Sequence, residues 1–189
     1  MEDNGYDNEI LEARALRLIK EEKELKKAIE KSGFVSIEST RGNPPDLYTI
    51  NIKINTFVND FQTLKIRKSE ENISIRLFCD LNYPLSPPLA FVVRGFPFNP
   101  NISDKTGAIC YTAKYSPKTS LTLVLQQIIE ILRFQSINIE ERSMNPEAAM
   151  WCRANMNEFP TDQRRLLNIE PVDIKADKDE EFLDIEICY

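Results

Sequence analysis

Between residues 48 and 55 apolar and polar side chains alternate without exception, Tyr48, Ile50, Ile52 and Ile54 against Thr49, Asn51, Lys53 and Asn55. A period of two marks a strand with one buried face. The same period runs through Ile73, Ile75, Leu77 and Cys79, and the segments 34–40 and 89–93 read as two further strands. Upstream, over 8–31, Leu11, Ala15, Leu18, Leu25 and Ile29 recur at spacings of three, four and seven. This is the narrow stripe of an amphipathic helix, which Gly33 is placed to stop, and Glu22 falls near its edge. Over 119–134 the apolar positions Leu121, Leu123, Val124, Leu125, Ile128, Ile129, Ile131 and Leu132 describe a largely buried helix. Pro146, a favoured first-turn residue, opens a third helix to about 157 with Ala148 to Trp151 in the core, and further helix is expected over 162–167.

Two stretches interrupt these periods. Residues 57–71, rich in Asn and Lys, read as an extra hairpin arm or a long loop. Tyr83-Pro84-Leu85-Ser86-Pro87-Pro88 places three prolines in five residues, which removes amide donors and makes a stiff extended connection, not a central strand. The order predicted is α+β: an N-terminal helix, a four-stranded antiparallel meander, an irregular stretch, then C-terminal helices.

A chain of 189 residues, 42% hydrophobic, suits one domain with a real core. Its net charge of −6 sits at one end: residues 168–189 carry eight acids against two bases, whereas residues 1–167 carry 22 of each. The predicted division is a flexible lead over 1–7, a core over 8–167 and an acidic, disordered tail over 168–189. Within that tail, Glu180 to Ile187 alternates Phe182, Asp184 and Glu186 with Leu183, Ile185 and Ile187 and reads alternatively as a strand added to a partner's sheet. A neutral body without a basic stripe argues against nucleic acid as the partner. The acidic start and the lack of a long apolar run argue against a signal peptide or a membrane span, so a monomer in the cytoplasm or nucleus is expected.

Cys79, Cys110, Cys152 and Cys188 form no C-x-x-C pair, which fits a reducing compartment and indicates neither a zinc ribbon nor a redox dithiol. Cys79 and Cys152 read as packing residues, and Cys188 as exposed without chemical company. The chain has no histidine, which rules out cysteine–histidine and serine–histidine nucleophiles and histidine-ligated zinc within it. A free thiol titrates near ~8.5, so a nucleophilic Cys110 would act without a dedicated base. Thiol–thioester exchange tolerates this, because the acyl group arrives activated. No cofactor and no metal are implied.

Around Cys110 four local patterns occur in order: Tyr83-Pro84-Leu85-Ser86-Pro87-Pro88, then Asn99-Pro100-Asn101, then Gly107-Ala108-Ile109-Cys110 with Tyr115-Ser116-Pro117 behind it, then Asn145-Pro146-Glu147-Ala148-Ala149. Together they resemble the ubiquitin-conjugating enzyme family over about residues 8–167. The resemblance implies a carrier enzyme in which Cys110 accepts ubiquitin or a ubiquitin-like protein from an activating enzyme and passes it to a lysine or a ligase cysteine. It implies that Asn101 orders the loop and stabilises the oxyanion, and that Glu141 steers the incoming amine. Leu85, Ser116, Pro117 and Lys118 would contact a ubiquitin ligase, and Arg14, Arg17 and Lys20 the activating enzyme. The chain departs from the family in Asn99 for histidine, a loop one residue longer before Cys110 and one about three residues shorter after it, and Tyr115 for tryptophan. These departures bear on the ligase interface and the modifier rather than on the fold. A catalytically silent scaffold of the same fold, escorting another conjugating enzyme, is the competing reading. Plainer readings stand beside the sharp ones: Asn99 and Asn101 as turn residues, Glu141 as a solvated acid, Arg14 and Arg17 as helix flanks.

Overall fold

The computed structural model describes residues 4–60, 62–63, 65–111, 115–140 and 142–167. Helix α1 spans Asn4–Ser32, beginning inside the lead expected to be flexible. Ser32 Oγ turns back to Ile29 O at 2.8 Å, and Gly33 follows at φ +70, a left-handed stop that glycine adopts without a steric cost. Strands β1 (Val35–Gly42), β2 (Pro45–Asp60), β3 (Lys65–Phe78) and β4 (Leu89–Arg94) form one antiparallel sheet in chain order. The alternation read from the sequence is the register observed: Tyr48 faces Leu77, Ile50 faces Ile75 and Ile52 faces Ile73, all buried beneath the helices.

The stretch 57–71 belongs to the hairpin. β2 and β3 stay paired to Asp60↔Lys65, and the Asp60 carboxylate accepts the amides of Gln62 and Thr63 at the turn. Alternation fails there because Phe57 is covered too. It meets Phe134, Trp151 and Phe159 with ring centroids 4.7–5.9 Å apart, a second core beside the aliphatic one.

Helix α2 (Leu121–Leu132) is capped by Ser120 Oγ and packs with α1 against the sheet. Helix α3 (Pro146–Ala154) is capped by Asn145 and is followed by a 3₁₀ turn at Met156–Glu158. Ala148 and Ala149 are buried as expected, Trp151 is half-buried, and Met150 points to solvent.

Residues 162–167 are not helical, contrary to the expectation. β1 pairs with β2 only as far as Ile52, which leaves the β2 edge open beyond it. The Asn55 amide donates to Asp162 Oδ2 at 2.9 Å and Asn55 O accepts from Thr161 Oγ1 at 2.6 Å. The segment is thus spent on satisfying a strand edge. No helix among the described residues is long and apolar enough to cross a membrane.

Candidate active site

After β4 the chain needs a sharp return to place Cys110, and side-chain amides build it. Asn99 is fully buried; its Nδ2 donates to Ile131 O at 2.9 Å and its Oδ1 accepts the Asn101 amide at 2.9 Å. One neutral side chain therefore ties the loop to the end of α2 and fixes the next residue but one. Asn101 repeats the device: Nδ2 donates to Cys110 O at 2.9 Å, and Oδ1 accepts the amide of Asn138 at 2.7 Å. The Cys110 amide donates in turn to Asn101 O at 2.8 Å. Asn101 and Cys110 thus hold each other across the loop, with Asn138 drawn alongside and the Asn145 amide reaching Pro100 O.

Between them, Ile102 bridges Ile109, and Val92 and Ile109 donate to Gly107 O and Ala90 O, stitching the loop to β4. Gly107 makes this approach possible. It sits at φ +73, and a Cβ there would lie 2.3 Å from Val92 O.

Cys110 is half-buried, whereas Cys79 and Cys152 are fully buried. Burial pushes the Cys79 and Cys152 thiols up to about 12, so both stay protonated packing groups. Beside Cys110, the Tyr111 hydroxyl donates to Pro88 O at 2.6 Å, and burial raises its pKa. It is an anchor and stays a neutral phenol. Glu141 and Cys188 lie outside the described residues, as does the tail over 168–189.

The residues expected to meet partners fall into two groups. Leu85 is 73% exposed on the loop after β3, and Pro117 and Lys118 are exposed on the loop before α2, with Ser116 half-buried. The Tyr115 hydroxyl donates to Pro84 O at 2.9 Å and joins these two loops. Lys20 is exposed, 3.9 Å from Glu24. Arg14 and Arg17 are turned inward: Arg14 donates to Cys79 O and Asp80 O at 2.9 Å, Arg17 to Thr119 O at 3.1 Å. Sequence reading did not single out Glu21. It is 1% exposed, pairs with Arg17 Nε at 2.7 Å and accepts the Leu121 amide at 2.8 Å. Its signal was present, since 18, 21 and 25 share one helical face and an acid between Leu18 and Leu25 must be buried.

A family model described as ubiquitin-conjugating enzyme matches residues 69–167. Among solved structures, S. cerevisiae Ubc12 is similar over 78% of this chain and 75% of its own, at 18% identity and a TM-score of 0.56. A ubiquitin conjugating enzyme from Trypanosoma cruzi is similar over 76% and 92%, at 16% identity and 0.53. The E2 domain of a Toxoplasma gondii ubiquitin conjugating enzyme is similar over 75% and 88%, at 21% identity and 0.51. At these identities the likeness is one of fold. No curated protein matches the sequence.

Proposed function

Because the chain belongs to the ubiquitin-conjugating enzyme family, we propose that it is an active member, carrying ubiquitin or a ubiquitin-like protein as a thioester on Cys110. The Cys110 thiolate attacks the thioester carbonyl presented by the activating enzyme, a new C–S bond forms, and the activating enzyme's sulfur leaves as thiolate. A lysine amine or a ligase thiolate then attacks the Cys110 thioester and expels the Cys110 sulfur; in the amine case a proton is lost. Glu141 is assigned the steering of that amine.

The observation that carries the reading is the Asn101–Cys110 clasp. It holds Cys110, a half-buried residue, at the end of the loop and uses one of the two Nδ2 hydrogens. The other remains for the oxyanion that develops when the thioester is attacked, the kind of donor whose loss costs about 10² to 10³ in rate. Ligase contact is assigned to Leu85, Ser116, Pro117 and Lys118, on two loops fastened together by Tyr115. Activating-enzyme contact is assigned to the α1 face around Lys20, with Arg14 and Arg17 shaping it from behind.

The test is incubation with activating enzyme, ATP and a panel of modifiers, read on a non-reducing gel. Wild type should give an adduct that reductant removes and that Cys110→Ala abolishes, and Cys110→Lys should give one that survives reductant. No adduct with any modifier supports the silent scaffold instead.

A further inference from the structure

The last described residues run antiparallel along α2. Asp162 O accepts from Arg133 Nη1 at 3.0 Å, and the Leu166 and Leu167 amides reach Gln126 Oε1 at 2.9 and 3.1 Å. Between Arg133 and Gln126 the helix rises about 10 Å, so the chain is heading for the first turn of α2 when it reaches Leu167. Ahead of it lies an open groove of about 750 Å³ between that turn and the C-terminal half of α1. Ala28, Leu166 and Leu167 give it an apolar side, and Lys27, Lys31 and Arg165 outnumber its one acid, Glu24.

Two features of the groove call for a carboxylate. Its cations Lys27, Lys31 and Arg165 have Glu24 as the one acid among the lining residues, because Glu21, which already meets the first amide of α2, is buried against Arg17. Thr122 Oγ1, on a residue 6% exposed that lines the groove, is buried without a hydrogen-bond partner among the described residues. The sequence delivers what is lacking: Ile169 and Glu170 follow Leu167 by two and three residues, a reach of about 7–10 Å, and Asp173 comes three residues later.

We propose that the acidic segment beginning at residue 168 docks in the α1–α2 groove of its own chain, setting Glu170 and Asp173 against Lys27, Lys31 and the first turn of α2. Lys20 lies two turns before Lys27 on the same flank of α1. A docked tail therefore sets carboxylates beside the face assigned to the activating enzyme and slows charging of Cys110. Docking stands on the groove alone, whereas the effect on charging rests on the proposed function.

The decisive experiment compares amide NMR spectra of the full chain as wild type, Glu170→Lys/Asp173→Lys, Lys27→Glu/Lys31→Glu, and the fourfold charge swap. The tail variant should move the amides of Lys27, Ala28, Lys31 and Thr122. The groove variant should move those of Ile169, Glu170, Val172 and Asp173, and the fourfold swap should bring both sets back toward wild type. High salt should shrink the wild-type difference from the tail variant. Unmoved groove amides in the tail variant, or shifts that grow with protein concentration and so belong to a second copy, overturn the proposal. In a parallel charging assay the tail variant should form the Cys110 adduct several-fold faster. An unchanged rate overturns the competition, whereas a complete lack of charging in every variant refutes the proposed function and leaves the spectra to decide docking.

Discussion

Two regions of the molecule fasten loops to the same framework with different chemistry. At Cys110 the fasteners are neutral: Asn99 and Asn101 each donate to one backbone carbonyl and accept one backbone amide. On the α1 side they are ionic: Arg14 holds the loop after β3, and the Arg17–Glu21 pair holds the start of α2. Neutral amides fix the thiol loop without adding a charge of their own, which suits a reaction whose acyl group arrives activated. Ionic pins do the opposite: they link the helix assigned to the activating enzyme with the loops assigned to the ligase, and they make that end sensitive to a single lost charge.

The contrast is broken most forcefully at Glu21. Glu21→Ala leaves Arg17 unpaired and the Leu121 amide exposed to a cavity, and should destabilise the fold by about 3–5 kcal/mol. Joint replacement Arg17→Met/Glu21→Leu should recover much of that loss, a cycle to be followed by urea unfolding. At the neutral end, Asn101→Ala removes both side-chain bonds, to Cys110 O and from the Asn138 amide, and with them the proposed oxyanion donor, while the Cys110 amide keeps the backbone carbonyl of residue 101. Charging of Cys110 should persist while discharge onto free lysine falls by about 10² to 10³, measured in single-turnover assays. Gly107→Ala forces a Cβ against Val92 O at a positive φ and should lower stability by about 1–3 kcal/mol in thermal unfolding, with the thiol loop displaced from β4.

A smaller, pH-dependent effect belongs to Asp162. Burial alone would raise its pKa, but the Arg164 guanidinium and the Asn55 amide together outweigh burial and hold it well below the usual carboxylate range. Its folded pKa lies below the unfolded value, so its contribution is complete above about pH 4 and is lost as pH falls through the folded pKa. Asp162→Asn should therefore narrow the stability gap to wild type as pH drops below about 4, as read by acid titration of circular dichroism.

Much of the fold was legible because local period and burial coincide: the alternation at 48–55 and 73–79 became the register of β2 and β3. The extent of the hairpin was not legible, because Phe57 and Ile66 pack on aromatic residues about 70 to 100 positions away in the chain. The helix expected at 162–167 was lost to the open edge of β2, which no local pattern announces. At the site, the spacing of Asn99, Asn101 and Cys110 was visible, and the direction of their bonds was not. Arg14 and Arg17 lay off the apolar stripe and so looked like surface groups. Their partners are carbonyls on distant loops, invisible to any helical wheel.

The claim beneath all of this is that Cys110, and not another cysteine or a lysine, carries the acyl group. Intact and peptide mass spectrometry after incubation with activating enzyme, ATP and modifier tests it most directly. One added modifier less one water is expected, mapped to Cys110 and removed by excess thiol. An adduct mapped elsewhere, or none with any modifier while the chain remains folded, contradicts it.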